Sequence, residues 1–204
     1  MPAEASAVAE LAGLPPVLDA RIERELSAFR AKHSRGVAEL AAELCGKNGI
    51  DPLRGRIAGL AHDLCKELPV GEQRRLAKLS GYFGGHADEL TEELLHGPAA
   101  AYVLMQDYGF GPSERDIVDS VAYHTVGRPG MTPLDIFIYV ADKIEPGRAH
   151  VDASFRERCL SLPPEGMLLA VMENTMSWLK SKGRAIAPET LLLYNSLRKS
   201  VPSR

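Results

Sequence analysis

Four of the six histidines in this chain fall where helices are expected to start or stop, beside two aspartates that can share their chemistry. His33 is expected just before a helix. His62 and Asp63, adjacent in sequence, fall in the last turn of one. His96 precedes another helix and His124 ends one. Asp142 sits within the apolar run IFIYVADKI, where a charged carboxylate must be paired, hydrogen-bonded or bound to a metal. Neighbouring helix positions differ by about 100°. His62 and Asp63 can therefore reach one centre only from a helix end, as two ligands of one metal or with the carboxylate bridging two. Taken singly, a helix-end histidine is usually a surface residue, and Asp142 could simply pair with Lys143 or Arg148. Taken together in one helical chain, these positions predict a metal centre.

Nitrogen and oxygen ligands without thiolates suit iron, manganese or zinc. Two such ions would lower the pKa of water and neutralise phosphoryl oxygens. Cations should then face a polyphosphate. Lys66 lies three residues after Asp63, close to one helical turn, and is read as catalytic and substrate-binding beside Asp63. Its alternative is a solvated lysine next to Glu67. Arg148 lies beyond the Pro146-Gly147 break, where a guanidinium fork can meet a phosphate. Thr125 opens a loop, 125–131, that can offer a hydroxyl and backbone N–H groups. Arg128 reads as an ordinary exposed loop arginine, and His86 and His150 as solvated. There is no GxxxxGK[ST] loop and no GxSxG elbow.

The elements that must position these residues read as helix after helix, with strand-like alternation nearly absent. A helix over about 16–31 would carry Val17, Ile22, Leu26 and Phe29 on one side. Ser34 would cap the next, which Gly46 or Gly49 ends. Pro52 opens a helix to about Leu64, and Val70 to Leu79 forms another, closed by Gly81. The segment 81–85 is expected as a loop. Pro98 opens a helix ending near Gly109, Ser113 with Asp116 a helix to about His124, and Thr132-Pro133 one through Lys143. Two more cover 164–181 and 188–199. The fold class is all-α, a helical bundle able to bring helix ends to one point. Residues 1–15 read as a loose helix or a partly disordered segment, and 16–200 as one domain with its motifs over 33–150.

The order H…HD…H…H…D resembles the HD-domain metallophosphohydrolases. The strings HSRGVAELA, LAHDLCKELP, LLHGPAAAY, AYHTVGRPGM and IYVADKIEPGR resemble its YqeK-type subgroup, which splits diadenosine tetraphosphate symmetrically. That resemblance implies two divalent or trivalent ions, commonly iron, held by His33, His62, Asp63, His96, His124 and Asp142, with Asp63 bridging. It also implies substrate contacts from His33, Lys66, Thr125 and Arg148, a dinucleoside polyphosphate substrate and an ADP product. The alternatives are another HD phosphohydrolase, acting on mononucleotides, deoxynucleoside triphosphates or cyclic dinucleotides, or a non-catalytic sensing domain.

The bulk numbers agree. The 204 residues carry a net charge of −3, which advertises no basic face for a nucleic-acid polymer. Cys45, Cys65 and Cys159 are odd in number and lack a CxxC spacing, which suits a reducing cytoplasm rather than a disulfide scaffold. No signal peptide is read at the N-terminus, and the apolar runs are far short of a membrane span. The stripe Met167, Leu168, Val171, Met172 and Thr175 could serve a homodimer or belong to the core.

Overall fold

Ten α-helices are found among the described residues, 11–85 and 88–200, of a computed structural model. No strand occurs among the described residues. Most of the 1–15 segment and all of His86 lie outside them.

Helices α1 (Leu14–Glu25) and α2 (Ala28–Lys47) divide the span expected as a single helix over 16–31. The break is at Leu26-Ser27, and its cause lies forty residues away. The Glu67 carboxylate accepts from the Ser27 backbone N–H (2.6 Å) and from its hydroxyl (2.7 Å). Leu18, Ile22 and Leu26 face the core, whereas Val17 and Phe29 are exposed, Phe29 by 71 %. Ser34 caps nothing and is buried within α2. His33 accordingly lies inside the helix rather than before it.

Helix α3 (Pro52–Ala61) returns against α2, with Asp51 Oδ1 accepting the Leu53 N–H (2.9 Å). The two backbones touch at Gly59, where a Cβ would stand 2.5 Å from Ala38 Cα and 2.6 Å from its nitrogen. Only glycine allows this approach, and it sets the end of α3, with His62 and Asp63, against the turn of α2 that carries His33. Helix α4 (Val70–Ser80) ends at Gly81, whose φ of +73° lies in the left-handed region. The expected loop at 81–85 is a short 3-10 turn, with Phe83 itself at φ +60°.

Helix α5 (His96–Asp107) and helix α6 (Arg115–Tyr123) form a second close pair. His96 is the first residue of α5 rather than preceding it. At Gly97 a Cβ would meet the Ala122 carbonyl at 2.8 Å, so the start of α5 is tied to the end of α6 and His96 meets His124. Ser113 is not the cap expected there. Glu114 accepts instead from the Gly111 N–H (3.0 Å), closing a 3-10 turn before α6.

Helix α7 (Pro133–Ile144) runs through the middle. Leu134 through Ala141 are all buried, as expected of a helix that is apolar on every side. Thr132 and Asp135 cap its start reciprocally, at 2.9 and 3.3 Å. Helix α8 (Ala153–Leu160) was not expected; Asp152 caps it through the Phe155 N–H (3.0 Å). Helices α9 (Pro164–Ser181) and α10 (Pro188–Ser200) match expectation. On α9, Met167, Leu168, Val171 and Met172 are buried within this same chain, so the stripe is core and offers no surface for a second copy. Thr190 of α10 donates to the Val126 carbonyl (3.1 Å), tethering the loop after His124. Among the described residues no helix is long and apolar enough to cross a membrane.

Candidate metal centre

Five buried residues from four places in the chain converge. His33 comes from α2, His62 and Asp63 from just beyond α3, His96 from the start of α5 and His124 from just beyond α6. The imidazoles stand in a row, with ring centroids 5.2 Å apart for His33–His62 and 4.9 Å for both His62–His124 and His124–His96. Two trios of potential ligand atoms, each within 4.8 Å of one another, share one member: His33, His62 and Asp63, then Asp63, His96 and His124. Asp142, on α7, closes the first group, with Oδ1 3.1 Å from His33 Nε2 and 3.8 Å from His62 Nε2. All six residues singled out as ligands from the sequence are thus brought together.

Hydrogen bonds outside the cluster decide which nitrogens carry lone pairs. A carbonyl only accepts, so His62 Nδ1 donates to the Gly59 carbonyl (2.7 Å) and His124 Nδ1 to that of Val121 (2.8 Å). Both Nε2 atoms are left as acceptors aimed inward. His62 Nε2 is buried and has no hydrogen-bond partner among the described residues. Such an orphan normally costs about 1–3 kcal/mol. His124 Nε2 faces His96 Nε2 at 3.0 Å, with Asp63 Oδ1 at 3.3 Å from the latter. Convergent lone pairs and carboxylate oxygens with few protons between them suit a divalent metal.

The electrostatics follow from burial. Removal from water lowers the pKa of His62, His96 and His124, that of His96 to about 3, so these rings are neutral and competent as ligands. Burial alone would raise Asp63, but the neighbouring His62, His96 and His124 hold it well below the usual carboxylate range. Asp142 is held down as well; against the cost of its burial stand Lys143 and His33. His33 is the exception. Burial pulls it down, yet hydrogen bonds to Asp142 and Glu145 raise it.

Beside His33, the other three expected substrate contacts also lie at the cluster. The Lys66 ammonium is 3.0 Å from His96 Nδ1 and makes no bond to Glu67, which serves Ser27 and Arg30. The Thr125 hydroxyl is 3.1 Å from His124 Nε2 and 3.3 Å from His96 Nε2. Arg148 reaches Asp142 Oδ1 (2.7 Å) and His33 Nε2 (3.1 Å). Arg128 turns away. It is half-buried rather than exposed, donates to Asp119 and Asp135 at 3.1 Å each, and lies over the Tyr123 ring. His150 is exposed, and the three cysteines are buried and unpaired.

Two contributors escaped the sequence reading. Glu145 accepts from His33 Nδ1 (3.1 Å), and Arg30 Nη1 donates to Asp63 Oδ2 (3.1 Å). Lys143, weighed from the sequence as a partner of Asp142, does donate to Asp142 Oδ2 (2.9 Å), and also to the His124 carbonyl (2.8 Å). The signal for Glu145 was its place one helical turn after Asp142.

The HD domain profile matches residues 30–147. This chain belongs to the HD domain family. Two curated relatives carry the name symmetrical bis(5'-nucleosyl)-tetraphosphatase. One, from Bacillus subtilis, is 34% identical over 176 residues, covering 86% of this chain and 93% of the relative. The other, from Halalkalibacterium halodurans, is 31% identical over 182 residues, covering 86% and 92%. A crystal structure from Clostridium acetobutylicum, described as a predicted HD superfamily hydrolase involved in NAD metabolism, superposes with a TM-score of 0.82 at 31% identity. It covers 91% of this chain and 97% of that one.

Proposed function

We propose that this HD domain is a metal-dependent hydrolase that splits diadenosine tetraphosphate symmetrically into two molecules of ADP. The observation that carries the reading is Asp63, a single buried carboxylate common to both trios of donor atoms. The names of the Bacillus subtilis and Halalkalibacterium halodurans relatives supply the substrate class.

In this reading His33, His62, Asp63, His96, His124 and Asp142 hold two ions, iron first, with manganese or zinc compatible with the same donors. Bound there, the ions supply an acidified water and neutralise charge on the phosphoryl oxygens. The chain's own residues do the rest. Asp63 holds the two halves of the centre in register, and Arg30 holds Asp63. Lys66, with its ammonium beside His96, places a positive charge on the side where one end of the polyphosphate lies. Arg148 places another positive charge beside His33, and the Thr125 hydroxyl offers a hydrogen bond beside His124 and His96. The reading takes 16–200 as one functional unit, and the three unpaired cysteines suit a reducing cytoplasm.

The number of phosphates that the two cations grip decides which phosphorus is attacked. If Lys66 and Arg148 hold the phosphates of one ADP half, water adds to the second phosphorus from that nucleoside and the other half departs as a diphosphate. Hydrolysis of diadenosine tetraphosphate in oxygen-18 water is expected to give ADP alone, with one label per cleavage. Equal amounts of AMP and ATP on chromatography would overturn the symmetric assignment.

Arg148→Ala is expected to weaken substrate binding and slow turnover while bound metal stays, because Asp142 keeps its bond to Lys143. Losing one charge-assisted contact costs about 1.5–3 kcal/mol. Steady-state kinetics beside metal analysis checks this, and unchanged kinetics would remove Arg148 from the site.

A further inference from the structure

His33 differs from its neighbours in what aims it. His62 and His124 each give Nδ1–H to a neutral backbone carbonyl, from Gly59 and Val121. His33 gives it to a carboxylate, Glu145 Oε1, at 3.1 Å. Glu145 is 4 % exposed and lies just past the end of α7. Burying an anion there is costly without partners. The structure builds it a seat: the Gly147 N–H donates to Oε2, and two glycines make the room. A Cβ on Gly147 would stand 2.8 Å from Oε2, and one on Gly36, a residue of α2, 2.6 Å from it.

We infer that Glu145 is a positioning residue, holding His33 with Nδ1 protonated and Nε2 turned into the centre, and so tightening the half of the centre formed by His33, His62, Asp63 and Asp142. A carboxylate on the far nitrogen fixes the ring and makes it a stronger donor to a metal. The other half has no such anion. Its histidines face the Lys66 ammonium and a carbonyl. The two ion positions are therefore unequal, and the His33 side is filled first. Glu145 touches no substrate; it acts through His33. The inference rests on the metal-centre reading above.

The test is titration of the full-length, metal-free chain with manganese(II) against a competing chelator, following bound ion by electron paramagnetic resonance. The variants are Glu145→Gln, which keeps shape and removes charge, and Gly36→Ala, which leaves every polar group intact and pushes the carboxylate aside. Alanine favours helix over glycine, so Gly36→Ala is not expected to loosen α2. The wild type is expected to bind two ions with unequal affinity. Both variants are expected to lose about 10–100-fold in the tighter step, to keep the weaker one, and to recover turnover as manganese is raised. A purely structural role would lower melting temperature without moving either binding step. Either variant, if folded, binding both ions as the wild type does overturns the inference and leaves the metal centre standing. If Glu145→Gln does not fold, Gly36→Ala decides alone. A wild type that binds no manganese overturns both readings.

Discussion

Asp63→Ala is expected to empty at least one ion position and to abolish turnover. Asp63 is the member common to both donor trios, and its two oxygens are not equivalent: Oδ1 faces His96 at 3.3 Å, and Oδ2 meets Arg30 at 3.1 Å. Removing the side chain strips a ligand from both sides at once. It also leaves the Arg30 charge without this partner. Metal centres contribute several kcal/mol of transition-state stabilisation. At about 1.4 kcal/mol per tenfold, the loss amounts to about a thousandfold or more in rate. Asp63→Asn, which keeps one neutral oxygen, is expected to fall between. Metal analysis of the purified variant, paired with ADP release, checks both halves of the claim. Full metal content with a normal rate would remove Asp63 from the centre.

Stripping the metal from the intact protein is expected to lower its melting temperature by roughly 10 °C. An ion that binds only the folded chain at about a thousand times its Kd adds about 4 kcal/mol, and for a chain of this size each kcal/mol moves Tm by about 2–4 °C. Acid should further destabilise the metal-free chain. His62, His96 and His124 have folded pKa values below the ordinary 6.5, that of His96 near 3. As pH falls below 6.5 the unfolded chain takes up protons that these folded rings refuse, so their contribution to stability is lost between 6.5 and the folded values. His33, raised, has the opposite sign: its contribution is present below 6.5 and lost as pH rises through its folded pKa. Asp63 and Asp142, lowered, enter only below the ordinary 3.8, as their contribution is lost in stronger acid. Three lowered rings against one raised make the metal-free chain less stable at pH 5 than at pH 7. Melting curves with and without a chelator across that range measure it. Curves that coincide at pH 7 would contradict the linkage, and a metal-free Tm that rises toward pH 5 would contradict the ring assignment.

Much of the site was legible because its residues are of types that helices rarely need. A carboxylate in IFIYVADKI and four histidines near helix ends have few structural reasons to be there. What the sequence hid was set by contacts distant along the chain. Nothing local marks Leu26-Ser27 as a helix break; Glu67 makes it one. The same miss shifted His33 from a helix start to a helix interior, and turned Phe29 from an expected core position into an exposed one. Arg30 was unreadable as part of the centre because it acts on a ligand 33 positions away; Glu145 acts on one 112 positions away, and only its place one turn after Asp142 pointed to it. Arg128 looked like a loose loop residue, since neither Asp119 nor Asp135 betrays its direction in the sequence. The stripe on α9 stayed open between core and dimer because an amphipathic pattern is the same whether a neighbouring helix or a second chain covers it.

The spacing of the cluster along the chain bears on how the molecule comes into being. His33 meets Asp142 across 109 positions and Arg148 across 115. Closing spans of that length is slow and entropically expensive. During synthesis the α2–α3 hairpin can form early, with His33, His62 and Asp63 already near one another. That nascent half-centre lacks Asp142 and Glu145 until α7 emerges and docks. The docking of α7 on α2 is therefore also the event that completes the pocket. An ion held there would resist the separation of α7 from α2, and so would keep the fold closed as well as serve the reaction.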